Sequence, residues 1–285
     1  MISGYRPGMS LQRELEEARS LARAAGRIVL ELYGTAKVEM KGASDPVTDA
    51  DKRANAFIVE RLARVFPSDG IVAEESAGDA SSIRSAAEKS RCWFVDPLDG
   101  TKEFIAQNGE FSIMIGLAIG GRAQLGVVYQ PALDKLYTGV VGAGATLEHE
   151  GRSRPLQVSS IEHPPELKLV VSRSHRPKDI EKLMARLGIT QEAPSGSVGL
   201  KIGHIGERNA DLYVHLSDRS SRWDACAPDA ILHAAGGRFS DVLGRPFDYA
   251  SGAIKNTHGI LACNGAAYEA VLPAVRAIAD ELGFR

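Results

Sequence analysis

An apolar run that ends on two aspartates around a proline constrains this chain more than any other feature. Cys92-Trp93-Phe94-Val95 leads directly into Asp96-Pro97-Leu98-Asp99-Gly100-Thr101. Four consecutive apolar residues read as a strand buried on both faces, so Asp96 stands at the end of a strand inside the protein. Pro97 has no N–H to give to a ladder, and Gly100 permits a tight turn. The loop can therefore bring Asp96, the Leu98 carbonyl, Asp99 and the Thr101 hydroxyl towards one point. All four are hard oxygen donors, the kind that suits Mg²⁺. Carboxylates packed this closely repel one another and take up protons unless a cation joins them. Read alone, Asp-Pro-x-Asp-Gly also describes an ordinary turn or a helix cap.

Other acids follow the same pattern. Ile71-Val72-Ala73 is a second short apolar run and ends on Glu74-Glu75-Ser76. Val47-Thr48-Asp49-Ala50-Asp51 opens a helical pattern in which Ala54, Phe57, Ile58, Leu62 and Val65 face inward, and Asp49 is a good cap for it. Trp223-Asp224 precedes another helix, where the acid can equally be a cap.

The rest of the chain sets the architecture. Leu11, Leu15, Ala18, Ala22, Ala25, Val29 and Leu32 mark one face of a long amphipathic helix, with Ser10 before it and Gly34 after it. Residues 111–119 and 122–129 read as a hairpin across Gly120-Gly121, and 135–141 continues the sheet. Beyond it come a strand at 167–172, a helix at about 178–187, a Gly/Ser stretch at 195–199, a strand at 210–216, a helix at 225–235, a strand at 259–263 and a last helix to Leu282. Two helices, an antiparallel region and then a mixed region predict stacked layers. The division expected is one domain over 1–285 made of two packed halves, about 9–160 (α+β) and about 161–285 (α/β).

Composition excludes several classes. The net charge of −2 argues against a nucleic-acid polymer as partner. No apolar run approaches the roughly 18–20 residues a membrane helix needs. Cys92, Cys226 and Cys263 are too few and too scattered for a disulfide framework and read as buried free thiols, which implies a reducing, cytoplasmic setting.

Taken together, Asp96–Thr101, Trp223-Asp224, Glu74-Glu75-Ser76 and Val47–Asp51 resemble, in order and spacing, the motifs of the inositol monophosphatase superfamily of lithium-sensitive phosphatases. The resemblance runs from about Leu15 to Cys263. It implies the layered αβαβα sandwich that this superfamily shares with fructose-1,6-bisphosphatase. It also implies a phosphomonoesterase using two or three Mg²⁺ ions. Glu74, Asp96 and the Leu98 carbonyl would hold one ion. Asp96, Asp99 and Asp224 would hold a second, and Asp51 would order a weaker third through water. Asp51 and Thr101 would polarise the attacking water, Gly100 and Thr101 would lie against the substrate, and Glu75 would support the shell.

Within the superfamily, Lys102-Glu103-Phe104, Ser172-Arg173-Ser174-His175 and the stretch from Trp223 to Gly237 are most similar to the 3'(2'),5'-bisphosphate nucleotidases. That branch implies adenosine 3',5'-bisphosphate as substrate and a place in sulfate assimilation. By the same resemblance Ser172, His175, Ser197 and Lys201 fall at nucleotide-contacting positions. Lys201 can also be read as a solvated helix lysine, and Arg219 or Arg222 as further phosphate contacts. Inositol phosphatases carry a carboxylate where this chain has Ser217, a departure from that pattern. Two other readings stay open: an inositol monophosphatase or fructose-bisphosphatase-like enzyme, and a catalytically silent metal- or nucleotide-binding module. The family often forms homodimers, but no stripe in this sequence marks an interface.

Overall fold

A computed structural model of the chain describes residues 10–42, 45–76, 80–174 and 176–285. Helix α1 spans Gln12–Glu31, followed by a small hairpin of β1 (Val38–Gly42) and β2 (Asp45–Thr48). Next come α2 (Asp49–Val65), β3 (Gly70–Ala73), α3 (Ala80–Ala87), β4 (Arg91–Asp99) and the short α4 (Thr101–Ile105). An antiparallel meander follows: β5 (Ser112–Ile119), β6 (Arg122–Gln130), β7 (Lys135–Val140), β8 (Gly144–His149) and β9 (Arg152–Leu156). The remainder is β10 (Lys168–Ser172), α5 (Ile180–Leu187), β11 (Gln191–Ser195), α6 (Val198–Gly206), β12 (Leu212–His215), α7 (Arg222–Ala234), β13 (Arg238–Ser240), β14 (Ile260–Cys263) and α8 (Tyr268–Glu281).

Strands β3 to β9 form a seven-stranded sheet in sequence order, and the five-stranded sheet runs β11-β10-β12-β14-β13. Alternate residues of the central strands point to opposite faces, so each face has its own core. Trp93, Val95, Ile113, Ile115, Leu125 and Val127 pack with the apolar stripes of α1 and α2. Phe94, Met114, Val128 and Tyr137 on the other face pack with α6 and α7, which also meet Val170, Tyr213 and Ala262 of the five-stranded sheet. The outer face of that sheet is covered by α5 and α8. The layers are thus helix, sheet, helix, sheet, helix, and the layered αβαβα expectation holds.

One detail makes the central helix layer possible. Gly116, Gly126 and Gly139 lie on β5, β6 and β7 beneath α7. A Cβ at these positions would stand 2.6 Å from the Ala227 nitrogen, 2.1 Å from the Ala227 carbonyl oxygen and 2.6 Å from the Ile231 Cα. The helix therefore lies directly on the sheet backbone, which sets how deep its first turn, with Asp224, reaches.

Some expectations need correction. Phe57 does not face inward but is 38% exposed on α2. Strand β4 does not end at Val95: it runs on through Asp99, with a register shift between Asp96 and Asp99 where Pro97 cannot bond. The N-cap of α2 is Thr48 rather than Asp49, and that of α7 is Ser221 rather than Asp224. Among the described residues, no helix is long and apolar enough to cross a membrane, and the three cysteines are buried free thiols.

Candidate functional site

The acids predicted from sequence meet at the end of β4, below the first turns of α2, α6 and α7. Asp96 is 2% exposed, with its Oδ1 accepting the Leu98 N–H at 2.9 Å. Burial and the nearby charges of Glu74, Asp99 and Asp224 together push its carboxyl well above the usual range. Asp224 is pushed up in the same way, by burial and by Asp99 and Glu74.

Asp51 and Asp224 reach the site by the same local device. Each occupies the third position of a capping box, so its Oδ2 is tied to the backbone at the helix start. Thr48 N donates to Asp51 Oδ2 at 2.8 Å, and Ser221 N donates to Asp224 Oδ2 at 2.6 Å. In Asp51 the second oxygen accepts the Thr101 hydroxyl at 3.1 Å. Burial raises the Asp51 carboxyl, against the opposing bonds from Thr48 and Thr101. Thr101 Oγ1 also lies 3.3 Å from the Leu98 carbonyl oxygen. Gly100, before it, has φ +96° and lies against Glu110 and Phe111, a conformation that favours glycine.

Asp99 and Glu74 are held from outside the cluster. The Asp99 Oδ2 accepts Ser197 Oγ at 2.6 Å and the Val198 and Gly199 N–H groups that open α6. Burial still leaves its carboxyl raised, opposed by Lys201 and those bonds. Because the Ser197 hydroxyl proton goes to Asp99, Ser112 Oγ is the donor in the 2.8 Å bond between the two serines. Glu74 Oε1 accepts Lys41 Nζ at 3.0 Å, and Lys41 also bonds Glu75. Burial lifts Glu74 to about 7 despite Lys41.

As they lie, no three His, Cys, Asp or Glu groups among the described residues are spaced to hold a metal ion. Glu74 is bonded to Lys41 of β1 and Asp99 to the start of α6. The donor set nonetheless fits a hard divalent cation, since every group is an oxygen and the buried acids carry uncompensated repulsion.

The proposed substrate positions are mixed. Ser197 is buried and turned to Asp99. Lys201 is not a solvated lysine. It is 3% exposed, donates to the Gly196 and Ser197 carbonyls at 3.2 and 2.9 Å, and stands over the Tyr213 ring. Burial lowers it to about 8. Ser172 ends β10, level with Ser195 at the end of β11. His175 lies outside the described residues. Arg222 does not reach towards the acids: it lies over Phe247 at 4.8 Å and donates to Asn256 at 3.1 Å. Sequence reasoning missed Lys41, on the wholly exposed strand β1, and Glu110, between α4 and β5.

A family model described as the inositol monophosphatase family matches residues 10–279. The chain is similar to the 3'(2'),5'-bisphosphate nucleotidase CysQ of Escherichia coli O157:H7, 36% identical over 82% of this chain and 93% of the relative. It is likewise similar to inositol monophosphatase 3 of Solanum lycopersicum, 31% identical over 88% of this chain and 94% of the relative. Among solved structures, an IMPase of Thermotoga maritima superposes with a TM-score of 0.79 at 26% identity, covering 95% of this chain and 100% of the other. With the layers in this order and the match running almost from end to end, the chain belongs to the inositol monophosphatase family.

Proposed function

We propose that this chain is a Mg²⁺-dependent phosphomonoesterase that removes the 3'-phosphate of adenosine 3',5'-bisphosphate, giving AMP and inorganic phosphate. The observation that carries the reading is the crowding of Glu74, Asp99 and Asp224 on buried Asp96, a set of mutually repelling oxygen donors that a divalent cation would neutralise. Glu74, Asp96 and the Leu98 carbonyl would hold one ion, Asp96, Asp99 and Asp224 a second, and Asp51 a weaker third through water. Bound Mg²⁺ would supply charge neutralisation on the phosphoryl and leaving oxygens and a lower pKa for water.

The chain's own groups do the rest. The Thr101 hydroxyl gives its proton to Asp51, so its lone pairs face outward to accept a proton from the attacking water. Asp51, raised by burial, is the more basic for it and takes up the proton at the end of that relay. Water then attacks phosphorus in line with the leaving 3'-oxygen; the P–O bond to that oxygen breaks, the oxygen takes a proton from solvent water, and no residue becomes covalently attached. By the resemblance, Ser172, His175, Ser197 and Lys201 would be the residues that contact the nucleotide. The names of the CysQ relatives support a bisphosphate nucleotide as substrate; a place in sulfate assimilation and a cytoplasmic setting go with that reading.

The second reading is an inositol monophosphatase, favoured by the names of the tomato relative and the Thermotoga structure. Parallel assays of phosphate release from adenosine 3',5'-bisphosphate, inositol 1-phosphate and fructose 1,6-bisphosphate, each with Mg²⁺ and with chelator, separate the two. A preference of more than about tenfold for the inositol ester, a gap of some 1.4 kcal/mol, overturns the nucleotidase. Bound Mg²⁺ without turnover of any ester leaves only a silent binding module.

A further inference from the structure

Asp99 is steered by a turn that does not hold its own shape. Ser197, which donates to it, has φ +41° and ψ 135°, a backbone conformation that non-glycine residues rarely adopt. Strain of this kind persists only where neighbours over-determine it. Lys201 bonds the two carbonyls of this turn, and the neighbour that takes its N–H is Glu110, between α4 and β5. Its Oε2 accepts the Gly196 N–H at 2.7 Å, one residue before Ser197. Gly196 itself is pressed so closely on this turn that a Cβ would stand 2.3 Å from the Glu110 carbonyl oxygen.

Glu110 is in turn fixed by Arg173, just beyond β10. The guanidinium meets it as a fork, Nε to Oε2 and Nη2 to Oε1, each at 2.6 Å. A second contact runs parallel: Ser174 Oγ donates to buried Glu103. The turns after β10 and β11 are thus both fastened to the segment that follows the Asp96–Thr101 loop.

We infer that Glu110 is a positioning residue for the proposed metal site: it holds the Gly196–Ser197 turn, and through that turn it sets the orientation of Asp99. The inference rests on the Mg²⁺-phosphatase reading above and deepens it. Glu110 has two separable properties, an acceptor for Gly196 N–H and a charge for Arg173. If it acts on Asp99, the acceptor matters. If it only ties the two sheets together, the ion pair matters.

The test measures Mg²⁺ binding by titration calorimetry, with kcat and KM read separately. E110M removes the acceptor. E110Q keeps an acceptor at the same place without the charge. The double variant E110R/R173E restores an ion pair but sets a donor against the Gly196 N–H. We expect E110M and the swap to weaken Mg²⁺ binding about tenfold, the size of one hydrogen bond to an ionised carboxylate, with kcat falling more than KM rises. E110Q should lose no more than about threefold, as a neutral acceptor is weaker but present. Should E110M not fold, the swap set against E110Q makes the same comparison. Native-like binding in E110M, or restored binding in the swap, overturns the inference and leaves Glu110 a mere tie. Native protein that bound no Mg²⁺ would instead overturn the phosphatase reading beneath it.

Discussion

Raising the pH should destabilise this protein when it is stripped of metal, and Mg²⁺ should reverse the effect. The perturbation is a change from about pH 4.5 to about pH 8.5 in chelator. Glu74 is lifted from 4.5 to about 7, first by burial and then by its acidic neighbours. A carboxyl raised in the folded state contributes stability that is whole below its unfolded pKa and is lost as the pH rises through the folded one. The loss therefore falls between about pH 4.5 and 7.5. Asp96 and Asp224 are raised too and push in the same direction. Lys41, raised above the ordinary lysine range, stays charged throughout and adds no slope. A shift of this size is worth at most about 3 kcal/mol. The Glu74 side chain is 25% exposed, which trims its share to about 2 kcal/mol through solvent screening. For a chain this long the unfolding entropy is about 0.6 kcal/mol/K, so the melting temperature should fall by about 3–4 °C from Glu74 alone. Calorimetric melts in chelator, repeated with saturating Mg²⁺ and with E74Q, measure it. The expected result is a fall in chelator, a smaller fall in E74Q, and stabilisation by Mg²⁺ that grows with pH. Stability that is flat or rising with pH in chelator, with E74Q unchanged from native, refutes the reasoning.

Three further outcomes follow from the geometry. Asp96→Asn should cut turnover about 10³-fold or more while the melting temperature holds or rises, because it removes the shared ligand and one of the crowded charges. Activity and melting curves on one preparation check this. Thr101→Val should keep the shape of the residue but lower kcat about 10²-fold with little change in KM, as it loses the hydroxyl of the proton relay; steady-state kinetics decides. Gly126→Ala should cost about 2–3 kcal/mol, because its methyl meets the Ala227 carbonyl and α7 must lift. Urea unfolding gives the stability, and a parallel loss of Mg²⁺ affinity would show that Asp224 has lifted too.

The sequence was most legible where burial wrote a strong pattern. The α1 stripe, the Gly120-Gly121 hairpin and the short runs ending on Asp96 and Glu74 all stand where their periodicity placed them. The order of layers came with them, through the resemblance. What stayed hidden did so for identifiable reasons. Helix α6 reads Val-Gly-Leu-Lys-Ile-Gly-His-Ile-Gly, a composition of poor helix propensity. Its glycines are there for packing, with Gly199 on Met114 and Val128 and Gly203 on the Tyr137 ring. Strand β9 is an exposed, charged edge strand with no apolar alternation to see. At the site, the acids announced themselves by following apolar runs or opening helices. Their partners did not. Lys41 and Glu110 act through distant neighbours, and neither is marked by the residues beside it.

The paired helix starts at Asp51 and Asp224 carry a consequence for how relatives should be interpreted. Each acid secures the beginning of a helix as well as joining the buried carboxylate cluster, so it has two independent reasons to persist. A descendant that had abandoned chemistry would still pay in folding for exchanging either one. Finding both acids in a distant sequence is therefore weak testimony that the sequence encodes a working catalyst. Positions with a single duty, such as the Thr101 hydroxyl, are the better witnesses.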